Sequence, residues 1–314
     1  MTGTDSPEHS VSLPIRPAQG RPPKSKGIAG TRLGTVALGA APAFILVVLF
    51  VGGSIAQAIR LSFSDWGGIG PVRWSGLDNY VTVLGDATTY ASLWTTLVFA
   101  GLSSAGTIVI AALLAARVSA GVRGSTVYRV VWFLPGIAPA AAVSIFWAST
   151  FQPGSGALNV ILGALGLGSD HAWLAQGSTA LWPVIIVTVW ASVGFAFLLL
   201  LGAMEQIPIS VYEAAHVDGA SPARQFFSLT LPLVRPVIIM AGMLEFIWNF
   251  NGFTIVWAMT RGGPGNSTAI LPVLVYKQAF QFTQFGPATA LAVVGGVILI
   301  ALGLIGIRAS QSRQ

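Results

Sequence analysis

The chain has 314 residues, of which 54% are hydrophobic and only 8% are charged. Soluble domains carry roughly a quarter charged residues, so this composition indicates an integral membrane protein. The absence of cysteine excludes disulfides, thiolate metal sites and cysteine nucleophiles, and the three histidines (His9, His171 and His216) have no metal-ligand spacing. The formal net charge of +6 would suit nucleic-acid binding, but the placement of the basic residues explains it otherwise.

The first 31 residues are rich in Pro, Ser, Gly and charge and show no apolar period. This composition predicts a disordered basic arm at 1–31. A cleavable signal peptide is not expected, because the apolar run begins too late and is too long. Residues 32–314 are predicted to form one transmembrane domain.

Six segments are apolar and long enough to cross a hydrocarbon core of about 30 Å, which takes about 20 helical residues. They predict an all-α fold whose six transmembrane helices lie at roughly 34–59, 93–116, 127–151, 180–204, 237–259 and 288–307. The third segment contains Pro135 and Pro139, which predict either a packing kink or a hinge beside a pathway.

The basic residues are distributed unevenly between the two sides of these predicted spans. Twelve of the sixteen lie on the side of the chain termini, and four lie on the other side, namely Arg60, Arg73, Arg261 and Lys277. Positive residues concentrate in the cytoplasm, so both termini are predicted to be cytoplasmic. This bias accounts for the positive charge without any nucleic-acid partner.

A polar stretch at 213–232, EAAHVDGASPARQFFSLTLP, separates the fourth and fifth predicted spans. It predicts a helical hairpin, here called the polar hairpin (about 205–232), to which a partner protein on the aqueous side can bind. Ala214 and Ala215 are small enough for a partner surface to approach the backbone closely. Pro232 is predicted to stop the helical turn that precedes it.

The ends of the two short helices in the polar hairpin are also readable from the sequence. Ser210 and Glu213 have the spacing of a capping box, which satisfies two amides at the start of a helix. Gly219 is predicted to end that helix in a left-handed conformation. Ser221 and Pro222 fit the cap and the first position of the second helix.

The same stretch carries a family pattern. EAA at 213–215 is followed after three residues by Gly219, and then by Leu229, Leu231 and Pro232 at fixed spacing. This pattern resembles the signature loop of permease subunits in binding-protein-dependent ABC importers, with Leu229 in place of the family's usual Ile. The alternative is an amphipathic linker between two membrane helices that happens to fit the pattern.

Shorter segments extend the resemblance over nearly the whole chain after the arm. They are FSDW at 63–66, GLDNY at 76–80, FLP at 133–135, GALN at 156–159 and TRGGP at 260–264. Their order and spacing are similar to those of carbohydrate importer permeases, in particular the larger, maltose-type half. The chain has no room for the extra helices of the largest members, so it resembles a compact six-helix form.

The resemblance implies a type I ABC importer permease in the bacterial cytoplasmic membrane. Its implied partners are membrane lipid, a second permease of related fold, a dimeric ABC ATPase and an extracytoplasmic sugar-binding protein. In the polar hairpin, Glu213 would pair with a basic group or cap a docked helix, and Gly219 would supply the sharp turn. Asp218 and Arg224 would be rim contacts.

The chain lacks a GxxxxGK[ST] phosphate-binding loop, so hydrolysis is assigned to the partner ATPase. No catalytic residue, cofactor or metal is therefore expected in this chain, and ATP and Mg²⁺ would be bound by the ATPase.

Glu245 is the only acidic residue deep within a predicted span, where an ionisable group costs about 2.5–3.5 kcal/mol on insertion scales. Trp248, Asn249 and Gly252 follow at helical spacing and are predicted to share its face. A carboxylate, an indole and an amide suit a sugar, so these four residues are predicted to line the substrate pathway. The alternatives for Glu245 are a structural bond to the partner permease, or a protonated carboxyl in a packed interface.

Three alternatives to a sugar importer permease fit the sequence less well. An ABC importer permease for a phosphorylated solute such as glycerol phosphate would favour basic residues in the pathway. A secondary transporter driven by an ion gradient would show repeated halves with several ionisable residues. The DG…AR run at 218–224 faintly resembles CDP-alcohol phosphotransferases, but no Asp or Glu between Arg224 and Glu245 can complete a metal site.

Overall fold

The computed structural model describes residues 33–311, so the predicted basic arm at 1–31 lies outside the described residues. Its contacts divide it into two compact units on either side of the bond between Ser54 and Ile55. The described part of the first unit is helical, with α1 at Leu33–Leu46 and a π-helical segment at Val47–Gly52, and α2 (Gly53–Ser62) begins at its end.

The second unit continues after α2 with a short β-hairpin and a short helix, which precede the long helices. Strands β1 (Ser64–Asp65) and β2 (Arg73–Trp74) form an antiparallel pair and are followed by α3 (Asp78–Gly85). The buried Asn79 amide donates hydrogen bonds to the carbonyl oxygens of residues 62 and 64, at 3.0 and 2.9 Å. This side chain therefore holds the start of α3 against the chain that leaves α2.

Helices make up most of the rest of the second unit. In chain order they are α4 (Ala87–Ser119), α5 (Ser125–Ile137), α6 (Ala140–Thr150), α7 (Ala157–Ala164), α8 (Leu181–Met204), α9 (Ile209–Val217), α10 (Pro222–Gln225), a π-helical segment (Phe226–Thr230), α11 (Leu231–Phe250), α12 (Phe253–Thr260), α13 (Leu271–Tyr276), a second π-helical segment (Lys277–Gln281) and α14 (Phe285–Gln311).

Within the described residues, five helical runs are long and apolar enough to cross a membrane, and a bent pair of helices makes a sixth if it counts as one span. The five runs are Gly39–Ser62, Ala87–Ser119, Leu181–Met204, Pro222–Phe250 and Phe285–Gly306. This arrangement confirms the predicted all-α membrane fold, although two of the predicted spans are wrong in detail.

The third predicted span is broken in two. Helices α5 and α6 meet at an angle of 92°, so 127–151 is not one straight helix. Ala138 between them is extended, at φ −69° and ψ 141°. A residue before proline is disfavoured in the helical region, and Pro139 has no amide hydrogen to continue the ladder. Pro139 therefore stands at a sharp corner, while Pro135 lies inside α5.

The fifth predicted span ends earlier than expected. Helix α11 stops at Phe250, and α12 starts separately at Phe253, so the prediction of one helix over 237–259 is wrong. Asn251 and Gly252 leave the helical conformation, with Gly252 at φ −69° and ψ 47°. An Asn-Gly dipeptide is a turn signal, and this one breaks the span.

Helices α4, α8 and α11 pack on one another and form the centre of the second unit, and α5 packs on α8. The α5 contact depends on Gly194, where a Cβ atom would lie 2.2 Å from the carbonyl oxygen of Trp132. Only glycine allows this approach of α5 to α8. A buried apolar cluster at the end of α8 and the start of α11 includes Phe197, Leu200 and Val234.

Candidate functional site

The polar hairpin begins with α9, and its helix end matches the sequence prediction. Gly219 has a φ of +73°, in the left-handed region that favours glycine. The Ala220 amide donates to the Ala215 carbonyl at 2.9 Å, and the Gly219 amide donates to the His216 carbonyl at 3.0 Å. These two bonds form a Schellman motif, which turns the chain sharply at this residue.

The second helix of the hairpin also starts as predicted. The Ser221 hydroxyl accepts a hydrogen bond from the Arg224 amide at 3.3 Å, and Pro222 occupies the first turn. The capping box predicted for the first helix is wrong, because α9 is already helical at Ser210 and its cap position is Pro208. Proline at that position leaves Ser210 within the first turn, where its side chain makes no cap.

Pro232 does not stop the helix. It lies in the first turn of α11, and the π-helical segment before it joins α10 to α11 in one helical run, Pro222–Phe250. Proline has no amide hydrogen to give and clashes with the carbonyl four residues earlier, and the wider π turn absorbs that mismatch. The polar hairpin is therefore continuous with a membrane span.

The predicted docking residues divide into an outer and an inner set. Glu213, Ala214, Asp218 and Arg224 are exposed, as is Gly219. Ala215, in contrast, is only 8% exposed and belongs to the inner side of α9. Of the two small residues predicted to admit a partner, only Ala214 is open to one.

The hairpin is tied together on its inner side. The Tyr212 hydroxyl lies 3.0 Å from the Thr230 hydroxyl, and the Gln225 side-chain amide donates to the Ala220 carbonyl at 3.0 Å. A cleft of about 590 Å³ separates this inner side from the end of α4, which contributes Arg117 to the lining. The outer side thus keeps its charged groups free while the inner side holds the shape.

The predicted pathway residues do not share one surface. Glu245 is 2% exposed and Asn249 is 5% exposed, while Trp248 is 51% exposed. The Asn249 side-chain amide donates to the Ser104 hydroxyl of α4 at 3.1 Å, so this side chain faces α4. Glu245 is therefore buried inside the chain, as in the packed-interface alternative.

Trp248 points elsewhere. Its ring packs edge-on against Phe195 of α8, with centroids 5.3 Å apart, and the two half-exposed rings form an open aromatic surface. Gly252 lies at the break after α11, where a Cβ atom would be 3.1 Å from the Phe99 ring. The prediction that Glu245, Trp248, Asn249 and Gly252 share one face is therefore wrong. Glu245 and Asn249 are buried, whereas Trp248 lies on an open surface.

Two features near these sites were missed from the sequence. Ser103 and Thr107 of α4 are fully buried, and their hydroxyls have no hydrogen-bond partner, like the Oε2 atom of Glu245. Arg129 of α5 forms a salt bridge with Glu205 at the end of α8. The spacing of Ser103 and Thr107, four residues apart in an apolar helix, was the available signal for the first feature.

Among residues 33–311 there is no group of three His, Cys, Asp or Glu side chains that could hold a metal ion. The charged residues of the polar hairpin are instead dispersed over an exposed surface.

Comparison with known proteins identifies the family. Residues 107–311, which include the polar hairpin, match the family described as binding-protein-dependent transport system inner membrane component. The chain is 32% identical over 267 residues to the probable ABC transporter permease protein YurN of Bacillus subtilis, covering 83% of this chain and 91% of the relative.

Two further relatives have a solute in their names. The diacetylchitobiose uptake system permease protein NgcF of Streptomyces coelicolor is 33% identical over 273 residues, covering 83% of this chain and 76% of that protein. The sn-glycerol-3-phosphate transport system permease protein UgpA of Yersinia enterocolitica is 34% identical over 235 residues, covering 74% and 79%.

Among solved structures, the fold is similar to a chain of a bacterial alginate ABC transporter in complex with an alginate-bound periplasmic protein. The TM-score is 0.78 at 20% identity, covering 89% of this chain and 94% of the other. This likeness concerns the fold alone. The sequence match and the relatives together carry the conclusion that the chain belongs to the family of binding-protein-dependent transport system inner membrane components and is a non-catalytic ABC transporter permease.

Proposed function

We propose that this chain forms half of the translocation pathway of an ATP-driven importer for a sugar delivered by an external binding protein. A second permease of related fold completes the pathway, and a dimeric ABC ATPase binds ATP and Mg²⁺. The observation that carries the proposal is the polar hairpin, which presents charged residues on its outer side and continues directly into a membrane span.

The polar hairpin is the proposed docking element for the ATPase. Its outer surface combines Glu213, Asp218 and Arg224 with the small Ala214, so a partner can approach the backbone and pair with the charges. The Schellman turn at Gly219 gives this surface a defined shape. Motion of the docked ATPase is then transmitted along the helical run Pro222–Phe250.

Proposed orientation follows from the charge distribution. Lys and Arg accumulate on the side of the polar hairpin, which supports a cytoplasmic location for the hairpin and both termini and an external location for the β1–β2 hairpin. The cytoplasmic location also suits the proposed ATPase contact, because ATP is available on that side.

The proposed pathway surface is the aromatic pair formed by Trp248 and Phe195. Both rings are half-exposed at the level where α11 breaks, and their faces suit the apolar C–H face of a sugar ring. Asn251 is exposed beside the break; its side-chain amide donates to the Ile247 carbonyl at 3.0 Å, which leaves its Oδ1 atom to accept from a sugar hydroxyl. The second permease is proposed to close this surface into a channel.

A sugar is preferred over a phosphorylated solute on the charge of the pathway. No Lys or Arg occurs between Arg235 and Arg261, the stretch that contains Trp248 and the helix break. A phosphate group would favour a cation there. Glycerol phosphate remains the second candidate, because the relative UgpA carries that solute in its name.

The test is transport by the complete assembly in proteoliposomes. With ATP enclosed on the hairpin side and the cognate binding protein outside, labelled disaccharide should accumulate, and glycerol 3-phosphate should not. Uptake driven by an ion gradient without ATP would overturn the proposal, and ATP-dependent uptake of glycerol 3-phosphate alone would reverse the choice of solute.

A further inference from the structure

Three buried polar atoms on α4 and α11, two helices that pack on each other, have no hydrogen-bond partner. They are Ser103 Oγ and Thr107 Oγ1 on α4 and Glu245 Oε2 on α11, in side chains that are at most 2% exposed. Beside them, Asn249 of α11 donates to the Ser104 hydroxyl of α4. We call these five residues the polar seam.

Neighbouring contacts place the members of the polar seam at one level of the membrane span. A Cβ atom at Gly242 would lie 3.8 Å from the Ile108 side chain, and Asn249 contacts Ser104. Glu245 lies between Gly242 and Asn249 on α11, and therefore at the level of α4 residues 104–108. Helix α8 packs on both helices and closes this junction.

The free hydroxyls of the polar seam differ from the buried hydroxyls of Ser144 and Thr188. The Ser144 hydroxyl donates to the Ala140 carbonyl at 2.6 Å, and the Thr188 hydroxyl donates to the Val184 carbonyl at 2.8 Å. Such bonds within a helix satisfy a buried hydroxyl without help from a neighbour. Ser103 and Thr107 do not make them, so their hydroxyls are available to a group on another helix.

An unsatisfied polar group inside a membrane protein is costly, and Glu245 is the acidic member. Glu245 lies on α11, and α11 belongs to the helical run Pro222–Phe250 that starts in the polar hairpin. A movement of the hairpin would therefore also move Glu245 relative to α4. A carboxyl group on α11 and two free hydroxyls on α4 can form hydrogen bonds between the helices when α11 shifts along α4.

We propose that Glu245, with Ser103 and Thr107, is an interhelical lock that makes α4 follow the movement of α11, and that Glu245 is a positioning residue and not a sugar contact. The inference rests on the proposed function, because it assumes that the polar hairpin is driven by an ATPase. It predicts that the lock affects coupling equally for every transported sugar.

The experiment measures ATPase activity and sugar uptake of the reconstituted complex, with and without sugar-loaded binding protein. Glu245→Met removes the hydrogen bonds while keeping a similar volume, and Glu245→Gln keeps the hydrogen-bonding capacity without the ionisable group. Ser103→Ala and Thr107→Val remove one hydroxyl each. Their matched controls are Ser144→Ala and Thr188→Val, which remove equally buried hydroxyls that are bonded within their own helices.

The Met variant should assemble at wild-type yield and keep its basal ATPase activity. Its binding-protein-stimulated ATPase activity should fall about tenfold, which is within the usual range of coupling between sites. Uptake of two different sugars should fall by the same factor, and the Gln variant should recover most of both activities. Ser103→Ala and Thr107→Val should lose more stimulation than their controls.

Three results would overturn the lock. They are full stimulation in the Met variant, a loss that changes the ratio between the two sugars, or equal losses in the hydroxyl variants and their controls. A Gln variant as impaired as the Met variant would also contradict it, because hydrogen bonding would then not be the active property. Failure of the proposed function itself is distinguishable, since the wild-type complex would then show no binding-protein stimulation.

Discussion

The helical run Pro222–Phe250 joins two regions, the polar hairpin and the buried interface with α4, that are built on different physical principles. At the polar hairpin, Glu213 and Asp218 are exposed, and the shape comes from the left-handed turn at Gly219. At the other end, Glu245 and Asn249 are at most 5% exposed, and their surroundings come from α4. One helical run thus connects a solvent-exposed surface, here called the wet end, to a buried interface with α4, here called the dry end.

Under the proposed function, this difference would allow a non-catalytic permease to transmit the motion of the ATPase into the membrane. The charged groups of the wet end can form ion pairs with a partner at little desolvation cost, so this end suits reversible docking. The dry end holds its polar groups away from water, so hydrogen bonds that form there between α4 and α11 are not weakened by competing water. Damage at the two ends should therefore have different signatures, which the following substitutions separate.

The largest expected effect is at the turn of the polar hairpin. In Gly219→Val a β-branched residue must adopt a φ near +73°, which costs roughly 1–2 kcal/mol, and the Schellman turn is lost. The ATPase should fail to co-purify with the permease, while the permease itself still inserts.

The control for that substitution is Gly202→Val in α8. At both glycines a Cβ atom would meet no neighbour within 4 Å, so the two variants differ in backbone conformation and not in space. Co-purification of the ATPase at wild-type yield with Gly219→Val would contradict the docking role of the hairpin.

A smaller effect is expected at the aromatic surface beside the dry end. Trp248→Ala should lower the maximal rate of sugar uptake about three- to tenfold, because an aromatic contact contributes roughly 0.5–1.5 kcal/mol. Assembly and basal ATPase activity should not change, since Trp248 is half-exposed. The control is Trp94→Ala, at an exposed tryptophan near the start of α4. An equal loss of sugar uptake in the Trp94 and Trp248 variants would contradict a role of Trp248 in the pathway.

Sequence reasoning worked best where structure is determined locally. Gly219 ends α9 because its backbone conformation favours glycine, and that requirement is visible in one residue. The direction of Glu245 was not predictable in this way, because the rotation of α11 is set by packing against α4. The break at Asn251 and Gly252 lay between these cases, since its turn signal was present but was outweighed by the apolar residues around it.

A modest effect is expected for the hydrogen bond between α4 and α11. A double-mutant cycle of Asn249→Leu and Ser104→Ala should give an interaction energy of about 0.6 kcal/mol, the average for hydrogen bonds between membrane helices. Thermal unfolding of the purified complex in detergent provides the measurement. Strict additivity of the two substitutions would mean that this bond does not stabilise the interface.

The smallest effect is expected at the salt bridge between Arg129 and Glu205. Both side chains are about 40% exposed, so Arg129→Ala should cost no more than about 1 kcal/mol, and less at high salt. Thermal unfolding at two salt concentrations tests this. A loss of coupling in this variant would place part of the transmission outside the helical run Pro222–Phe250.

The docking of the polar hairpin can be tested directly because the chain has no natural cysteine. Ala214 and Ala215 are adjacent, but the first is exposed and the second is 8% exposed. Single cysteines at these positions, each treated with a short thiol-to-amine cross-linker in the reconstituted complex, should give different products. Cross-linking to the ATPase subunit through Ala214→Cys but not Ala215→Cys is the predicted result, and equal cross-linking at both positions, or none at Ala214→Cys, would contradict the account.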